Sequence, residues 1–528
     1  MDRRTLLTTA LALTTSATAA ACTGGGPSGA GGTDGAPPSP GRPASRTPAS
    51  RTPGGGAGDW AALARGLDGQ LVLPGDADWA SARQLYNTRF DGLRPAAVAY
   101  VAGEDDVREC LAYARAHGVP VSVRNGGHSY GGWSSGTGRL VVDVSSLDEV
   151  RADGTVGAGA KLSGVYRGLA RSGRTIPGGS CPTVGVSGLA LGGGHGVVSR
   201  AYGLTCDSMT EATIVTADGT VRTASADADR DLHWALRGGG TAGFGVVTRF
   251  RFRTRPAPPT VAAYLNWPWS KAAAVLTAWQ RWGPGLPDEI WSSATVNAGP
   301  GGVPPTLSVM ALTLGDEAGL RDAVDRLADA AGSSASSVAL RPRSYLDAML
   351  AAAGCLGLDE EQCRLPGTTP GRGPGGTLPR ETYASASDFF DRDLSGGGVG
   401  ALVAAAEAFT RIPAGRGAAD GSVLLTALGG AVNRVDPLAT SFVHRRSRVL
   451  AQYIGAWRPG TPGTEALAWL RDTRSAMRRY ATGAAYQNYA DPQLTDWRRA
   501  YYGPAADRLA RLRRRYDPDG VFDHPQAV

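Results

Sequence analysis

The chain has 528 residues, which is enough for about two to four domains of ordinary size and excludes a single small module. Its 75 glycines and 34 prolines show no Gly-X-Y period, so collagen is excluded and a loop-rich fold is expected. The net charge is +7, carried mostly by arginine, and the densest basic run, residues 508–515, has leucines at helical spacing. That spacing is typical of a solvated helix face, so no nucleic-acid partner is predicted.

The first 58 residues predict an export signal followed by a linker. Arg3 and Arg4 precede a short apolar stretch rich in Thr and Ala, and residues 1–22 are interpreted as the signal. The arginine pair resembles a twin-arginine signal, and Cys22 resembles a lipidation site, although Ala19 stands where leucine is usual. Residues 23–58 are almost wholly small residues, proline and arginine, which predicts a disordered linker. We therefore expect an extracellular or cell-surface protein whose membrane contact is a lipid on Cys22.

From residue 94 to residue 256 the sequence alternates β-branched runs, glycine-rich turns and two helical patterns. Residues 98–101 predict a strand, residues 104–117 a helix that ends at Gly118, and residues 119–123 a strand that enters a glycine loop. Further strands are predicted at residues 140–144, 155–159, 212–216 and 246–252. This alternation indicates an α+β domain.

A proline-rich stretch at residues 255–259 marks a domain boundary, after which the sequence becomes rich in tryptophan. Residues 257–482 are predicted to mix alanine-rich helices with strands at residues 306–314, 422–428 and 448–457. The insert at residues 355–376 is predicted to be a long surface loop in which Cys355 and Cys363 form a local disulfide. Residues 483–528 form a third segment, with a helix stop at residues 516–518.

Two glycine loops carry the main chemical signal. The first, residues 124–132, directly follows a predicted strand, and the second runs from residue 177 to residue 196. Runs of glycine let successive backbone N–H groups point into one concavity at close approach, which suits a pyrophosphate. Neither loop is a Walker motif, and neither has the acidic residue that follows a Rossmann fingerprint. The loops therefore indicate a nucleotide held mainly by backbone.

Each glycine loop also contains one nucleophilic side chain, His128 in the first and Cys181 in the second. An imidazole and a thiolate beside a bound flavin can add to its 8α-methyl carbon and to ring position 6. Taken alone, each residue fits a buried structural role better. A zinc site made with His195 and Cys206 is disfavoured, because no two of the four residues have the paired spacing of zinc ligands, and no metal is predicted.

Four stretches together resemble the berberine bridge enzyme-like flavin oxidases, which belong to the vanillyl-alcohol-oxidase superfamily. They are residues 124–132, 178–196, 236–250 and the tail at residues 486–518, in consistent order. The resemblance implies an α+β fold with a two-subdomain PCMH-type FAD-binding domain at residues 59–256. It also implies a substrate domain at residues 257–482, with an antiparallel sheet covered by helices, and a C-terminal segment at residues 483–528 that returns to the FAD-binding domain.

The resemblance further implies that FAD is held by two covalent bonds, from His128 to the 8α-methyl group and from Cys181 to C6. Two such links raise the reduction potential of a flavin, and they let the active site stay open because the protein need not bury the cofactor to retain it. Contacts with FAD, many through the backbone, are implied for Arg124, Asn125, Gly126, Gly127, Ser129, Gly178, Gly179, Ser180, Val184, Gly185, Gly188, Gly192, Gly193, Gly194, Val247, Asn488 and Tyr489.

Four residues are candidates for catalysis. The resemblance places the base of a Y-x-N-Y motif on Tyr486, which acts as a base only if neighbours stabilise the phenolate. Gln452 resembles a polar strand residue that faces the substrate, and Tyr130 follows the first loop closely enough to reach the same cavity. His195 stands where related oligosaccharide oxidases have a tyrosine, and two interpretations are open: a group in the active site that titrates near neutral pH, or a histidine merely hydrogen-bonded within the loop.

The leading hypothesis is an FAD-dependent oxidase that acts on a small molecule, either a sugar hemiacetal or a natural-product alcohol. Val184 resembles the position beside flavin C4a, where a small side chain leaves room for dioxygen, so dioxygen is favoured as the acceptor and hydrogen peroxide as its product. A dehydrogenase that reduces a quinone is the second hypothesis. A surface flavoprotein that binds a ligand without turnover is the third.

Overall fold

The computed structural model describes residues 59–240 and 243–528, and in the described part the chain begins at the first helix. Asp59 caps that helix, since its side chain accepts a hydrogen bond from the backbone N–H of Ala62 at 3.0 Å. The predicted export signal, the linker and Cys22 lie outside the described residues. No helix within the described residues is long and apolar enough to cross a bilayer.

The first unit contains two four-stranded sheets. One has the strand order β1-β2-β4-β3, with parallel pairs on both sides of β4, and the other is antiparallel with the order β5-β9-β7-β8. Its strands are β1 (Gln70–Val72), β2 (Ala97–Tyr100), β3 (Val121–Arg124), β4 (Leu140–Asp143), β5 (Thr155–Gly157), β6 (Arg174–Thr175), β7 (Met209–Val215), β8 (Val221–Ser225), β9 (Val246–Phe252) and β10 (Arg255–Pro256). Its helices are α1 (Trp60–Gly66), α2 (Trp79–Ala82), α3 (Glu104–His117), α4 (Leu162–Ala170), α5 (Val186–Leu191), α6 (Ser199–Tyr202), α7 (Thr205–Ser208) and α8 (Arg230–Leu236).

Helix α3 shows why part of this unit was predictable. Its first turn carries Glu104, Asp105 and Asp106, which favour a helix N-terminus, and it ends at Gly118, whose φ of 65° is left-handed. The predicted bounds of this helix and of β9 are the observed ones. The mixed helices and sheets confirm the predicted α+β class.

The second unit is built on one seven-stranded antiparallel sheet with the order β14-β11-β13-β12-β16-β17-β15. Its strands are β11 (Thr260–Trp267), β12 (Ile290–Ala298), β13 (Thr306–Thr313), β14 (Ser337–Arg343), β15 (Tyr383–Phe390), β16 (Ala418–Ala427) and β17 (Val449–Trp457). Its helices are α9 (Ala272–Gly285), α10 (Glu317–Ala331), α11 (Tyr345–Ala352), α12 (Gly396–Thr410) and α13 (Thr464–Met477). Four of these helices, α9, α10, α12 and α13, share an apolar core with one face of the sheet, so its other face is left for the first unit.

The tryptophan-rich segment contributes mainly to that core. Trp267 and Trp279 are buried between sheet and helices, and the indole N–H of Trp279 donates to the hydroxyl of Ser292 at 2.9 Å. Trp291 instead lies on the opposite face of the sheet. Strand periodicity in the sequence identified β13, β16 and β17 but missed β11, β12, β14 and β15.

The C-terminal segment folds back onto the first unit through α14 (Trp497–Tyr502) and α15 (Ala506–Tyr516). Leu509 and Leu512 of α15 are buried while Arg511 and Arg514 are exposed, which agrees with the predicted solvated helix face. In the second unit, the irregular insert carries the predicted disulfide between Cys355 and Cys363.

A buried ion pair joins the first two units. Arg445 has a fully buried side chain, and its guanidinium donates to both carboxylate oxygens of Asp207 in α7, at 2.7 and 2.9 Å. Further donations reach the hydroxyl of Thr440 at 3.0 Å and the carbonyl of Phe442 at 3.2 Å. The guanidinium therefore has the paired geometry that a buried charge requires.

We predict that Arg445→Leu lowers the free energy of unfolding by about 3 to 5 kcal/mol, because it leaves the Asp207 carboxylate buried without its partner. Thermal and denaturant unfolding measure the loss. Arg446→Leu is the matched control, because Arg446 is adjacent and exposed, and we expect it to change stability little. Equal losses in the two variants would show that the ion pair does not hold the units together.

Candidate active site

A cavity of about 390 Å³ lies where the two units and the C-terminal segment meet. The first unit contributes both glycine loops, and the C-terminal segment contributes the turn at residues 486–489. The free face of the seven-stranded sheet closes the cavity with Trp291, Ser293, Thr295, Met310, Leu424, Thr426 and Gln452. The cavity therefore brings together the residues that the sequence suggested from three separate stretches.

The two glycine loops are pressed against each other. A Cβ at Gly126 would overlap the carbonyl oxygen of Thr183 and would lie 2.7 Å from the backbone nitrogen of Gly185. A Cβ at Gly185 would overlap the side chain of Asn125. Because neither position accepts a side chain, backbone forms this part of the cavity wall.

His128 and Cys181 both line this cavity. The His128 ring stacks on Tyr86, with ring centroids 3.9 Å apart and planes 19° apart, and its Nε2 lies 2.8 Å from the hydroxyl of Thr183. Burial first, and then the positive charge of Lys161, lower the pKa of His128 to about 3, so the imidazole is neutral at working pH. Cys181 is disulfide-bonded in the structure.

The Tyr486 hydroxyl is buried and accepts two hydrogen bonds. The backbone N–H of Gly194 donates to it at 2.8 Å and the side-chain amide of Asn488 at 3.0 Å. The backbone N–H of Tyr486 donates to the hydroxyl of Ser387 in β15 at 2.9 Å, which fixes the turn against the sheet. Burial raises the pKa of Tyr486, and the two donors oppose that rise because they stabilise the phenolate.

His195 lies beside this tyrosine and pairs with Tyr489. Its Nε2 is 2.7 Å from the Tyr489 hydroxyl, and its Nδ1 is buried without a hydrogen-bond partner among the described residues. Burial lowers the pKa of His195 to about 4. The interpretation that His195 titrates near neutral pH was therefore wrong, because burial disfavours the charged imidazolium.

Tyr130 and Gln452 meet across the cavity. The side-chain amide of Gln452 donates to the Tyr130 hydroxyl at 3.0 Å and to the hydroxyl of Ser385 at 3.2 Å. Burial raises the pKa of Tyr130 to about 12, so it also stays neutral. This pair gives the cavity a polar edge where the first glycine loop meets the sheet.

The structure separates the predicted FAD contacts into two groups. Four glycines are absent from the cavity lining in the described structure, and the Gly192–Gly194 run packs behind Tyr486 and Asn488. Gly194 nevertheless acts on the site through its N–H bond to Tyr486. The four are Gly178, Gly192, Gly193 and Gly194. Those that line the cavity are Arg124, Asn125, Gly126, Gly127, His128, Ser129, Gly179, Ser180, Cys181, Val184, Gly185, Gly188, Val247, Asn488 and Tyr489.

The sequence analysis missed the hydroxyls on the sheet. Ser293 and Thr295 lie two residues apart in β12, and Thr426 of β16 is the register partner of Ser293. Side chains two apart in a strand share a face, so alternation would have indicated a common surface once β12 was recognised. Trp133, which stacks on His524 at 4.6 Å between ring centroids, was also missed because its partner is distant in sequence.

The residues present fit a bound FAD. The cavity is lined by backbone at Gly126 and Gly185, where a side chain would collide with the facing loop, and the loops run from β3 to α5. Arg124 is buried against Asp143, and one of its terminal nitrogens has no partner in the described part of the chain, which suits a phosphate oxygen.

Comparison with known proteins agrees with this arrangement. The model of the FAD binding domain matches residues 95–225, and the model described as berberine and berberine like matches residues 485–528. Xylooligosaccharide oxidase of Thermothelomyces thermophilus is 30% identical over 478 residues, which cover 85% of this chain and 90% of that protein. Chitooligosaccharide oxidase of Gibberella zeae is 29% identical over 486 residues, covering 87% of this chain and 93% of that protein.

The fold has solved counterparts. The structure of Physcomitrella patens BBE-like 1 is 29% identical and superposes with a TM-score of 0.79, covering 89% of this chain and 98% of that one. The matched FAD-binding and C-terminal segments are those that form the two glycine loops and the Tyr486 turn. This chain is an enzyme that belongs to the berberine bridge enzyme-like family of FAD-linked oxidoreductases.

Proposed function

We propose that this enzyme is an exported oxidase that oxidises a CH–OH group, of a sugar hemiacetal or a natural-product alcohol, and passes the electrons to dioxygen to give hydrogen peroxide. The observation that carries the proposal is the Tyr486 hydroxyl, buried in the cavity and bonded by two N–H donors. FAD, when bound, supplies a hydride acceptor. The chain then has to bind the alcohol and remove its hydroxyl proton.

Tyr486 is positioned for that proton. A substrate hydroxyl that replaces solvent beside Tyr486 can pass its proton to the phenolate, whose charge the N–H groups of Gly194 and Asn488 stabilise. Gln452 and Tyr130, which also line the cavity, can bond the substrate oxygen. His195, neutral and bonded to Tyr489, keeps that ring beside Tyr486.

The lining supports a hydroxylated, uncharged substrate. Ser293, Thr295 and Thr426 present hydroxyls from the sheet face, and Trp291 adds an apolar surface with an indole N–H that has no partner among the described residues. Such a mixture suits sugars, which combine hydroxyls with apolar faces. The two oligosaccharide oxidases among the relatives agree with this class.

The proposal extends to the cofactor linkage and the location of the enzyme. We propose covalent bonds to FAD from His128 and from Cys181, both of which line the cavity. A sulfur in a disulfide cannot also form a thioether, so the second bond requires Cys181 to be reduced before the flavin attaches. Arg3, Arg4 and Cys22 support export, with a possible lipid anchor, and an exported enzyme benefits from a cofactor it cannot lose.

We expect purified protein to remain yellow after acid precipitation, because a covalent bond survives unfolding. Peptide mass spectrometry should place flavin on both His128 and Cys181, one link should remain in His128→Ala or Cys181→Ala, and the double variant should release all colour. Flavin that washes away from the unsubstituted protein would disprove covalent attachment. Flavin on His128 alone would disprove the proposed bond from Cys181.

Removing the Tyr486 hydroxyl should slow flavin reduction by about 100-fold to 10,000-fold, the usual contribution of a positioned base. Because burial raises the pKa of Tyr486 and the phenolate is the active form, the rate in the parent enzyme should rise with pH into the alkaline range. Tyr486→Phe should lose this rise. Anaerobic stopped-flow bleaching with oligosaccharides and alcohols measures both effects.

The matched control for Tyr486→Phe is Tyr113→Phe, since the Tyr113 hydroxyl is buried on α3 without a partner among the described residues. It should leave reduction rates unchanged. An unaltered pH profile in Tyr486→Phe would remove Tyr486 from proton transfer.

Val184→Leu should slow reoxidation of reduced flavin by dioxygen while leaving anaerobic reduction unchanged. Val184 lines the cavity, and an added methylene that costs about 1.4 kcal/mol in the approach of dioxygen slows it about tenfold. Oxygen uptake and peroxide release, one of each per substrate, check the oxidase assignment. Rapid turnover with a quinone and none with dioxygen would favour the dehydrogenase.

A further inference from the structure

We infer that Thr183 is a positioning residue for covalent attachment of FAD to His128. It orients the imidazole ring, accepts the Nε2 proton in the tautomer whose Nδ1 bonds to the flavin, and leads that proton to a chamber behind the loop. The inference rests on the proposed linkage through His128, and it concerns a residue with no part in substrate oxidation.

Two contacts hold the His128 ring from different directions. Tyr86 stacks on its face, with ring centroids 3.9 Å apart, and thereby sets the plane of the ring. Thr183 bonds Nε2 through its hydroxyl at 2.8 Å and so sets the rotation of the ring within that plane. Thr183 is only 6% exposed, and its backbone is fixed against Gly126, so the hydroxyl has a defined position.

These contacts distinguish the two ring nitrogens. Nε2 is bonded to Thr183, whereas Nδ1 of His128 has no hydrogen bond within the described residues and the ring lines the FAD cavity. A nitrogen that bonds to carbon must supply its lone pair, so the reactive tautomer has its proton on Nε2 and donates it to the Thr183 oxygen. In that tautomer the Thr183 hydroxyl accepts the Nε2 proton and holds the ring with Nδ1 free to bond.

Covalent attachment of the flavin to His128 is an oxidation of the 8α-methyl carbon. One C–H bond of the 8α-methyl group and the N–H bond of the imidazole break, and one C–N bond forms. The electron pair passes to the flavin ring and from there to dioxygen, the acceptor in the proposed function. Dioxygen and the two released protons leave as hydrogen peroxide.

The imidazole proton has an exit on the far side of Thr183. A second cavity of about 220 Å³, behind the loop, is lined by Thr183 together with Ser145, Asp148 and Lys161. The Lys161 ammonium donates to the hydroxyl of Ser145 at 2.9 Å, so the chamber is polar and large enough to hold water. His128 lines the front cavity and Thr183 the rear one, so the hydrogen bond between them connects residues of the two cavities.

Thr183→Val keeps the shape of the side chain and removes the hydroxyl, and it is tested in a Cys181→Ala background so that His128 is the only covalent site. Protein made under riboflavin limitation is mixed with FAD in air, and acid-precipitable flavin is followed with time. We expect attachment to slow by about 10-fold to 100-fold, as for loss of a bond that orients a reacting imidazole. Thr183→Ser should restore most of the rate.

The controls distinguish a loss of His128 orientation from a defect in the folding of the variant. Thr260→Val removes a buried hydroxyl that has no partner among the described residues and should attach flavin at the parent rate. Measurements of thermal unfolding and of non-covalent FAD binding show whether the Thr183→Val variant folds. If it does not fold, the Thr183→Ala variant is used in its place.

The role of the hydroxyl is overturned if Thr183→Val attaches flavin at the parent rate, or if Thr183→Ser slows attachment as much as Thr183→Val does. Neither result would contradict the proposed His128 linkage. If the Cys181→Ala parent itself carries no flavin on His128, the proposed linkage fails and this inference fails with it. The inference is supported if attachment is slow in Thr183→Val and fast in Thr183→Ser. A purely structural defect would not distinguish Thr183→Val from Thr183→Ser.

Discussion

The close approach of two glycine loops is the constraint on which the rest of the site depends. Gly126 leaves room only for the backbone of Thr183 and Gly185, and Gly185 leaves room only for the Asn125 side chain. This contact fixes the segments that carry His128 and Cys181 at one cavity, although they are more than fifty residues apart. Any side chain at either glycine would force the loops apart and widen the cavity.

The sheet of the second unit completes the site because its faces differ. Residues such as Ala294 and Ala451 face the helices and belong to the apolar core, while their neighbours Ser293 and Gln452 face the cavity. Strand alternation thus supplies a rigid polar wall from residues whose backbone is fully bonded in the sheet. Because Ser293 and Gln452 stand on strands, the geometry of this wall is fixed by the sheet, whereas the facing wall is made of glycine loops.

Sequence patterns predicted local structure well and missed what depends on distant partners. Helix α3 was predictable because its acidic first turn and Gly118 mark both ends, and the glycine loops were predictable because their motifs are contiguous. Strand β15 was missed because every residue in it is buried, so no alternation shows. The hydroxyls of Ser293 and Thr426 become neighbours only through strand register, and Thr183 bonds His128 only because the loops meet.

The ionisable groups around the reaction centre are kept neutral by the same burial. The pKa of His128 falls to about 3 and that of His195 to about 4, while the pKa of Tyr130 rises to about 12. An interior of neutral donors and acceptors bonds an uncharged alcohol without the desolvation cost that a charged ligand would bring. It also leaves Tyr486, with its two N–H donors, as the position where a negative charge is best stabilised.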